Sequence, residues 1–233
     1  MIKQMALYTI PTQTDGDEFW RYHTQEHAPM VLQVCGDDLV KYTINRVIDL
    51  AKGVHRFFGV VETWWQSPAA MQNGFQAMED TRLPGGKSIV QDHVDRMAAP
   101  FVVHAPDEYV PKKPMSDIPH RPAKYMGFYS LPPGTDADRF WAYHTREHAV
   151  HSVDSFGKFL KYYVINRVDR VVNGNPVCFG IVELWFKDRQ ELTKGFDAHK
   201  HMMLANGRNV SEDFDVRVTD AFGYFVEEFM VKC

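Results

Sequence analysis

The chain has 233 residues, 45% of them hydrophobic and 24% charged, which is an ordinary globular balance. That length suits one large domain or two small ones, and the composition excludes a disordered, collagen-like or disulfide-scaffolded chain. Twenty-six basic against thirty acidic side chains leave a net charge of -4, which argues against a protein that binds nucleic acid by neutralising phosphates.

In chain order, Met1 to Ile10 lacks the basic start, apolar run and cleavage site of a secretory signal. Ala6-Leu7-Tyr8-Thr9-Ile10 reads as a short strand stopped by Pro11. Thr14, Asp15 or Asp17 can cap a helix whose periodic stretch runs from Phe19 to about Val34. Val40 to Ile48 and Phe57 to Trp65 read as strands. Pro68 opens a second helix that runs to about Asp80, Leu83-Pro-Gly-Gly is a turn, and Phe101-Val102-Val103 is a closing strand. Five prolines between Pro106 and Pro122 then mark a semi-rigid connector. Strands near 125–131, 161–171, 178–186 and 221–229 follow the same pattern again. No apolar run is long enough to cross a membrane. Cys35, Cys178 and Cys233 have no metal-like spacing and are expected to be reduced thiols of a cytoplasmic protein.

The strongest signal is an internal repeat. Phe19-Trp-Arg-Tyr-His-Thr-Gln-Glu-His-Ala28 returns as Phe140-Trp-Ala-Tyr-His-Thr-Arg-Glu-His-Ala149, a spacing of 121 residues with eight of ten positions identical. The same spacing joins Tyr8 to Tyr129, Asn45-Arg46-Val47 to Asn166-Arg167-Val168, Gly59 to Gly180, Glu62 to Glu183, Trp64 to Trp185 and Phe101 to Phe222. The expected organisation is a unit over 1–110, a proline-rich linker over 111–122 and a second unit over 123–233. Each unit has the order β-α-β-β-α-β of a ferredoxin-like fold. The fold class is therefore α+β. Two antiparallel sheets packed face to face would bury what each leaves uncovered, as a pseudo-twofold α/β barrel. Sequence leaves open an intermolecular pairing that gives a homodimer.

His23 and His27, and their twins His144 and His148, lie four residues apart and share one helix face with Phe19 and Phe140. An apolar residue heading each stripe turns that face inward, where burial can tune an imidazole for proton transfer. His23-Thr-Gln-Glu-His27 also fits the inverted zinc-protease pattern. Nothing obvious and repeated supplies the third ligand, so no metal is expected. By alternation Tyr42, Ile44 and Arg46 share one strand face, and an Arg46–Glu62 pair is expected between neighbouring strands. His55, His199 and His201 have no twin and read as surface residues, or as signs that one half has diverged.

Phe19 to Pro29, and again Phe140 to Ala149, resemble the EthD-type domain of the dimeric α/β-barrel superfamily. Members include ethyl tert-butyl ether degradation proteins, polyketide cyclases, anthrone decarboxylases and oxygenases, and methylmuconolactone isomerases. The resemblance implies a hydrophobic pocket between sheet and helices, and cofactor-free chemistry by a His on the first helix, here His27 and His148. The second copy departs from the motif with Val150 where the first has Pro29. The expected function is a cofactor-independent lyase, decarboxylase or isomerase acting on a small hydrophobic aromatic or phenolic substrate. His27, His148, His23 and His144 are the catalytic candidates; Tyr8, Asn45, Arg46, Trp64, Tyr129, Asn166, Arg167 and Trp185 are the substrate-binding ones. A cofactor-free monooxygenase and a non-catalytic small-molecule binder are the alternatives.

Overall fold

The structure, a computed structural model, describes residues 1–54, 57–104, 107–115, 122–173 and 178–232. His55, Cys233 and residues 116–121 of the proline-rich segment lie outside the described residues.

The first repeat runs β1 (Ile2–Thr9), α1 (Gly16–Tyr22), α2 (Ala28–Cys35), β2 (Leu39–Lys52), β3 (Gly59–Trp65), α3 (Pro68–Asp80), α4 (Ile89–Val94), β4 (Ala98–His104) and β5 (Asp107–Lys112). The second runs β6 (Ala123–Ser130), α5 (Ala137–Tyr143), α6 (Ala149–Phe156), β7 (Leu160–Arg167), β8 (Arg170–Asn173), β9 (Gly180–Phe186), α7 (Arg189–His201), α8 (Val210–Asp215) and β10 (Thr219–Lys232). Among the described residues no helix is long and apolar enough to cross a membrane.

All strands join one curled antiparallel sheet in the order β5-β7-β9-β6-β10-β2-β3-β1-β4-β8. The repeat survives at the level of register. Ile2 faces Trp65 across β1–β3, and Ala123 faces Phe186 across β6–β9, both partners displaced by the same spacing. The β2–β3 pairing slips between Leu39 and Lys41, and β7–β9 slips at the equivalent Leu160 and Tyr162. The last strand of each repeat reaches into the other: β10 pairs with both β6 and β2, β5 pairs with β7, and β4 pairs with β8. The beginning of the proline-rich segment is therefore a paired strand rather than a spacer. Pro111, which has no N–H to give a ladder, falls where the β5–β7 register shifts between Tyr109 and Lys112.

Alternation along the strands sorts side chains onto two faces. Met5, Leu7, Val60, Met126, Phe128, Ile181, Phe222 and Val226 meet in one apolar cluster drawn from both repeats. Separate clusters lie under the helices of each repeat, around Trp65 and Ile44 in the first and Phe186 and Ile165 in the second.

Beside the shared apolar cluster sits a buried charge network with the same internal symmetry. Lys3 Nζ lies 2.9 Å from Glu62 and 2.7 Å from Glu183; Lys124 Nζ lies 2.7 Å from Glu62 and 2.8 Å from Glu183. Asn45 and Asn166 each donate to the carboxylate of their own repeat at 2.8 Å. Burial disfavours the Lys3 ammonium, but the Glu183 and Glu62 carboxylates outweigh it and raise its pKa. Burial likewise opposes the Glu62 charge, and Lys124 and Lys3 overcome it, holding the carboxyl well below its ordinary range. The expected Arg46–Glu62 pair does not form. Glu62 faces Thr43 across the ladder, on the side that Asn45 shares, so Arg46 points the other way and meets Asp17 at 2.6 Å. Arg167 meets Asp138 at 2.7 Å in the same manner.

Candidate functional site

The expected first helix is broken into two by a π-helical turn at His23–His27, and the second repeat breaks at His144–His148. Asp15 and Asp136 cap α1 and α5 through their carboxylates. Inside the turn, Ala28 N–H bonds His23 O, and Ala149 N–H bonds His144 O, five residues back instead of four. The Thr24 hydroxyl donates to Trp20 O at 2.8 Å, and Thr145 does the same to Trp141 O at 2.8 Å, supplying a donor where the helical ladder is disturbed. Pro29 is not the cause, since the second repeat makes the same turn with Val150. Both α2 and α6 end at a glycine with positive φ, Gly36 at 55° and Gly157 at 56°, a conformation that a side chain disfavours.

The turn holds both imidazoles of each repeat against the sheet. His23 and His144 are fully buried; His27 and His148 are nearly so. Tyr8 Oη lies 3.1 Å from His23 Nδ1 and Tyr129 Oη 2.7 Å from His144 Nδ1. Burial pushes all four imidazole pKa values down, His27 to about 4 and His144 to about 3, so each is neutral near pH 7. The phenols of Tyr8 and Tyr129 are pushed well up by the same burial and stay protonated.

The short helices α4 and α8, which sequence patterning did not reveal, close over these rings. Tyr22 donates to Asp92 at 2.6 Å, and Tyr143 to Asp213 at 2.6 Å, tying each short helix to α1 or α5. Here the repeats part. The position that is His93 in the first is Phe214 in the second. His93 stacks on His27 with ring centroids 3.8 Å apart; Phe214 stacks on His148 at 4.4 Å. His23, His27 and His93 thus gather three imidazoles, one nitrogen from each lying within 4.8 Å of the others. A third imidazole exists, then, but it is unrepeated, which is why comparing the two copies passed over it.

The second repeat has different neighbours. Ser152 Oγ lies 3.2 Å from His148 Nε2 and is also hydrogen-bonded to the Tyr163 phenol. Ser155 Oγ donates to Ser152 O at 2.9 Å and lies 2.6 Å from His199 Nδ1, so His199 donates to Ser155. His199 is therefore a buried residue, stacked on Phe156 at 4.3 Å; of the two readings of this unmatched histidine, surface placement fails and divergence between the halves agrees with its place. Burial takes its pKa down to about 4. His201 is exposed, as expected. The first repeat has Val31, Val34 and Met78 where the second has Ser152, Ser155 and His199. A cavity of about 540 Å³ opens beside His144, His148, Ser152, His199 and Phe214, with Phe156, Tyr163 and Phe196 also in its wall.

Of the predicted site residues, Tyr129, His144 and His148 line this cavity, and Tyr8, His23 and His27 form the counterpart cluster. The others lie elsewhere. Asn45 and Asn166 hold Glu62 and Glu183 on the opposite face of the sheet. The Trp64 ring lies 4.6 Å from Lys3 Nζ and the Trp185 ring 4.4 Å from Lys124 Nζ, beside the same charge network. Arg46 and Arg167 tie strands to the starts of α1 and α5.

The arrangement defines an α+β protein with a curled antiparallel sheet and buried imidazoles between sheet and helices. Residues 12–100, within the first repeat, match the EthD domain family. Among solved structures, a Fusobacterium nucleatum protein provisionally assigned as a monooxygenase has a TM-score of 0.62 at 8% identity, over 98% of this chain and 93% of that one. An anthrone oxidase-like protein scores 0.59 at 8% identity, over 99% and 93%. A Lactobacillus acidophilus protein, also provisionally assigned as a monooxygenase, scores 0.56 at 10% identity, over 98% and 94%. At such identities the likeness is one of fold. No curated protein matches the chain.

Proposed function

We propose that the chain is two ferredoxin-like units, 1–110 and 123–233, closing a pseudo-twofold barrel, and that the cavity of the second unit is the active site of an enzyme acting on a small aromatic or phenolic compound. The observation that carries this reading is the coincidence of the cavity of about 540 Å³ with His148, Ser152 and His199 in one aromatic wall. The volume suits a ligand of a few rings; Phe156, Phe196 and Phe214 offer stacking surfaces, and His148, Ser152 and His199 offer polar atoms for orientation.

His148 is the base. In the form that acts as base, His148 Nε2–H donates to Ser152 Oγ, which leaves Nδ1 with a lone pair. Burial keeps that imidazole neutral at pH 7, which is the form that accepts a proton. The step moves a proton from an acidic C–H or O–H of the substrate to His148, leaving a carbanion or phenolate and an imidazolium. The two new charges attract each other beside the buried imidazole, where the local dielectric is low. Returning the proton to another carbon gives an isomerisation; expelling a carbon fragment gives a lyase or decarboxylase. A monooxygenase is the second reading, favoured by the names of the fold neighbours, and needs a substrate whose anion itself reduces dioxygen.

The test is solvent deuterium incorporation into a panel of small phenols and fused-ring ketones, followed by NMR, with an oxygen electrode alongside. Wild type should exchange the acidic position, and His148→Gln should slow exchange by about 100-fold or more. Retention of exchange in His148→Gln defeats the assignment. Oxygen uptake matched to substrate loss selects the monooxygenase.

A further inference from the structure

We propose that His23, His27 and His93 form a binding site, peculiar to the first repeat, for a divalent first-row transition ion of the zinc type. The proposal rests on geometry and on unused valence. His23 Nε2, His27 Nδ1 and His93 Nδ1 are buried and find no hydrogen-bond partner among the described residues. One nitrogen from each ring lies within 4.8 Å of the other two. Buried polar atoms are normally satisfied, and three unpartnered imidazole nitrogens gathered in one place fit an ion, reached by turning the stacked rings, better than they fit packing alone.

The surroundings select the ligand form. Tyr8 Oη engages His23 Nδ1 at 3.1 Å, which leaves Nε2 to face the cluster. A ligating imidazole is usually held this way, by a partner on its other nitrogen. Asp92, hydrogen-bonded by Tyr22 at 2.6 Å, brings a carboxylate beside the cluster and offsets part of the ion's charge.

Imidazole donors favour zinc, cobalt, nickel or copper over magnesium and calcium, which prefer oxygen. Three protein ligands leave a fourth tetrahedral position for water or an anion. Zinc–nitrogen bonds of about 2.0–2.1 Å set ligand nitrogens about 3.3 Å apart. Binding therefore draws the rings together and turns His27 out of its stack on His93.

The experiment is calorimetric titration of the metal-stripped full chain with Zn2+, with Co2+ absorption as a second readout. Wild type should bind one ion per chain with micromolar or tighter affinity, and Co2+ should show the visible bands of a tetrahedral nitrogen site. His93→Phe installs the ring that the second repeat already accommodates at this place. It should weaken binding by about 100-fold or more and abolish the tetrahedral spectrum. His27→Gln, a smaller change, should do the same, so a folding failure in one variant leaves the other decisive. Wild type that binds no ion below about 100 μM overturns the site. So does binding that survives in either folded variant, since the ion would then sit on other imidazoles, such as the exposed His201.

Discussion

The two imidazole pockets share a scaffold and differ in what was placed on it. Both have the π-helical turn, the Tyr–His contact and a short helix tied down by a Tyr–Asp bond. In the first, His93 completes a cluster of three rings and Val31, Val34 and Met78 make the rest of the wall apolar. In the second, Phe214 replaces the third imidazole, while Ser152, Ser155 and His199 turn the opposite wall polar beside a cavity. A duplicated frame can thus keep its structural hydrogen bonds while the ring positions facing the pocket diverge. The parts that agree between the copies are those on which folding depends; the parts that disagree are where separate chemistry has room to arise.

That contrast can be broken at several points. The largest effect expected is acid unfolding. His27 and His199 are held at about 4 by burial, against 6.5 in the unfolded chain, so the unfolded state takes up protons first as pH falls. Stability is full above about pH 6.5 and is lost toward pH 4, by about 2–3 kcal/mol for each of these two groups between pH 7 and 4.5. Urea titrations at the two pH values measure it. His199→Met, which installs the first-repeat residue, should remove one share of the loss; an unchanged pH dependence in that variant would show that His199 is not buried neutral.

The charge network should obey the symmetry instead. Lys3→Met and Lys124→Met each strand buried carboxylates and should destabilise the chain by about 3–5 kcal/mol, read from denaturant midpoints. A large effect at one and none at the other would end the view that the interior is shared evenly.

The catalytic contrast comes next. Ser152→Val copies the first-repeat wall into the second and should cut turnover by about 10-fold, whereas His27→Ala should leave turnover within about twofold. Equal losses in the two variants would mean that both pockets act. The smallest effect lies in the common frame: Thr24→Val and Thr145→Val each remove one hydroxyl from a main-chain carbonyl and should cost about 0.5–1.5 kcal/mol, alike in both repeats.

Much of this was legible in the sequence because it repeats. The constant spacing between copies showed which strands, helices and histidines correspond, and period-four patterning placed His23 and His27 on one inward helix face. Comparison of the copies was also what concealed the differences. His93 lies in a helix of six residues, too short to show periodicity, and its twin is a phenylalanine. His199 looked like surface because its twin is Met78, yet its ring stacks on Phe156 and bonds Ser155, a residue 44 positions away.

Sequence by itself determined the internal repeat, the main strands and longer helices of each copy and the inward turn of the paired imidazoles, since these follow from local periodicity and from matching residues along one chain. Only the tertiary structure decided that Asn45 and Trp64 serve the interior charge network, that Arg46 meets Asp17, and that His93 and His199 join opposite pockets. Each of those depends on which face of the curled sheet a side chain takes and on what a distant helix brings against it.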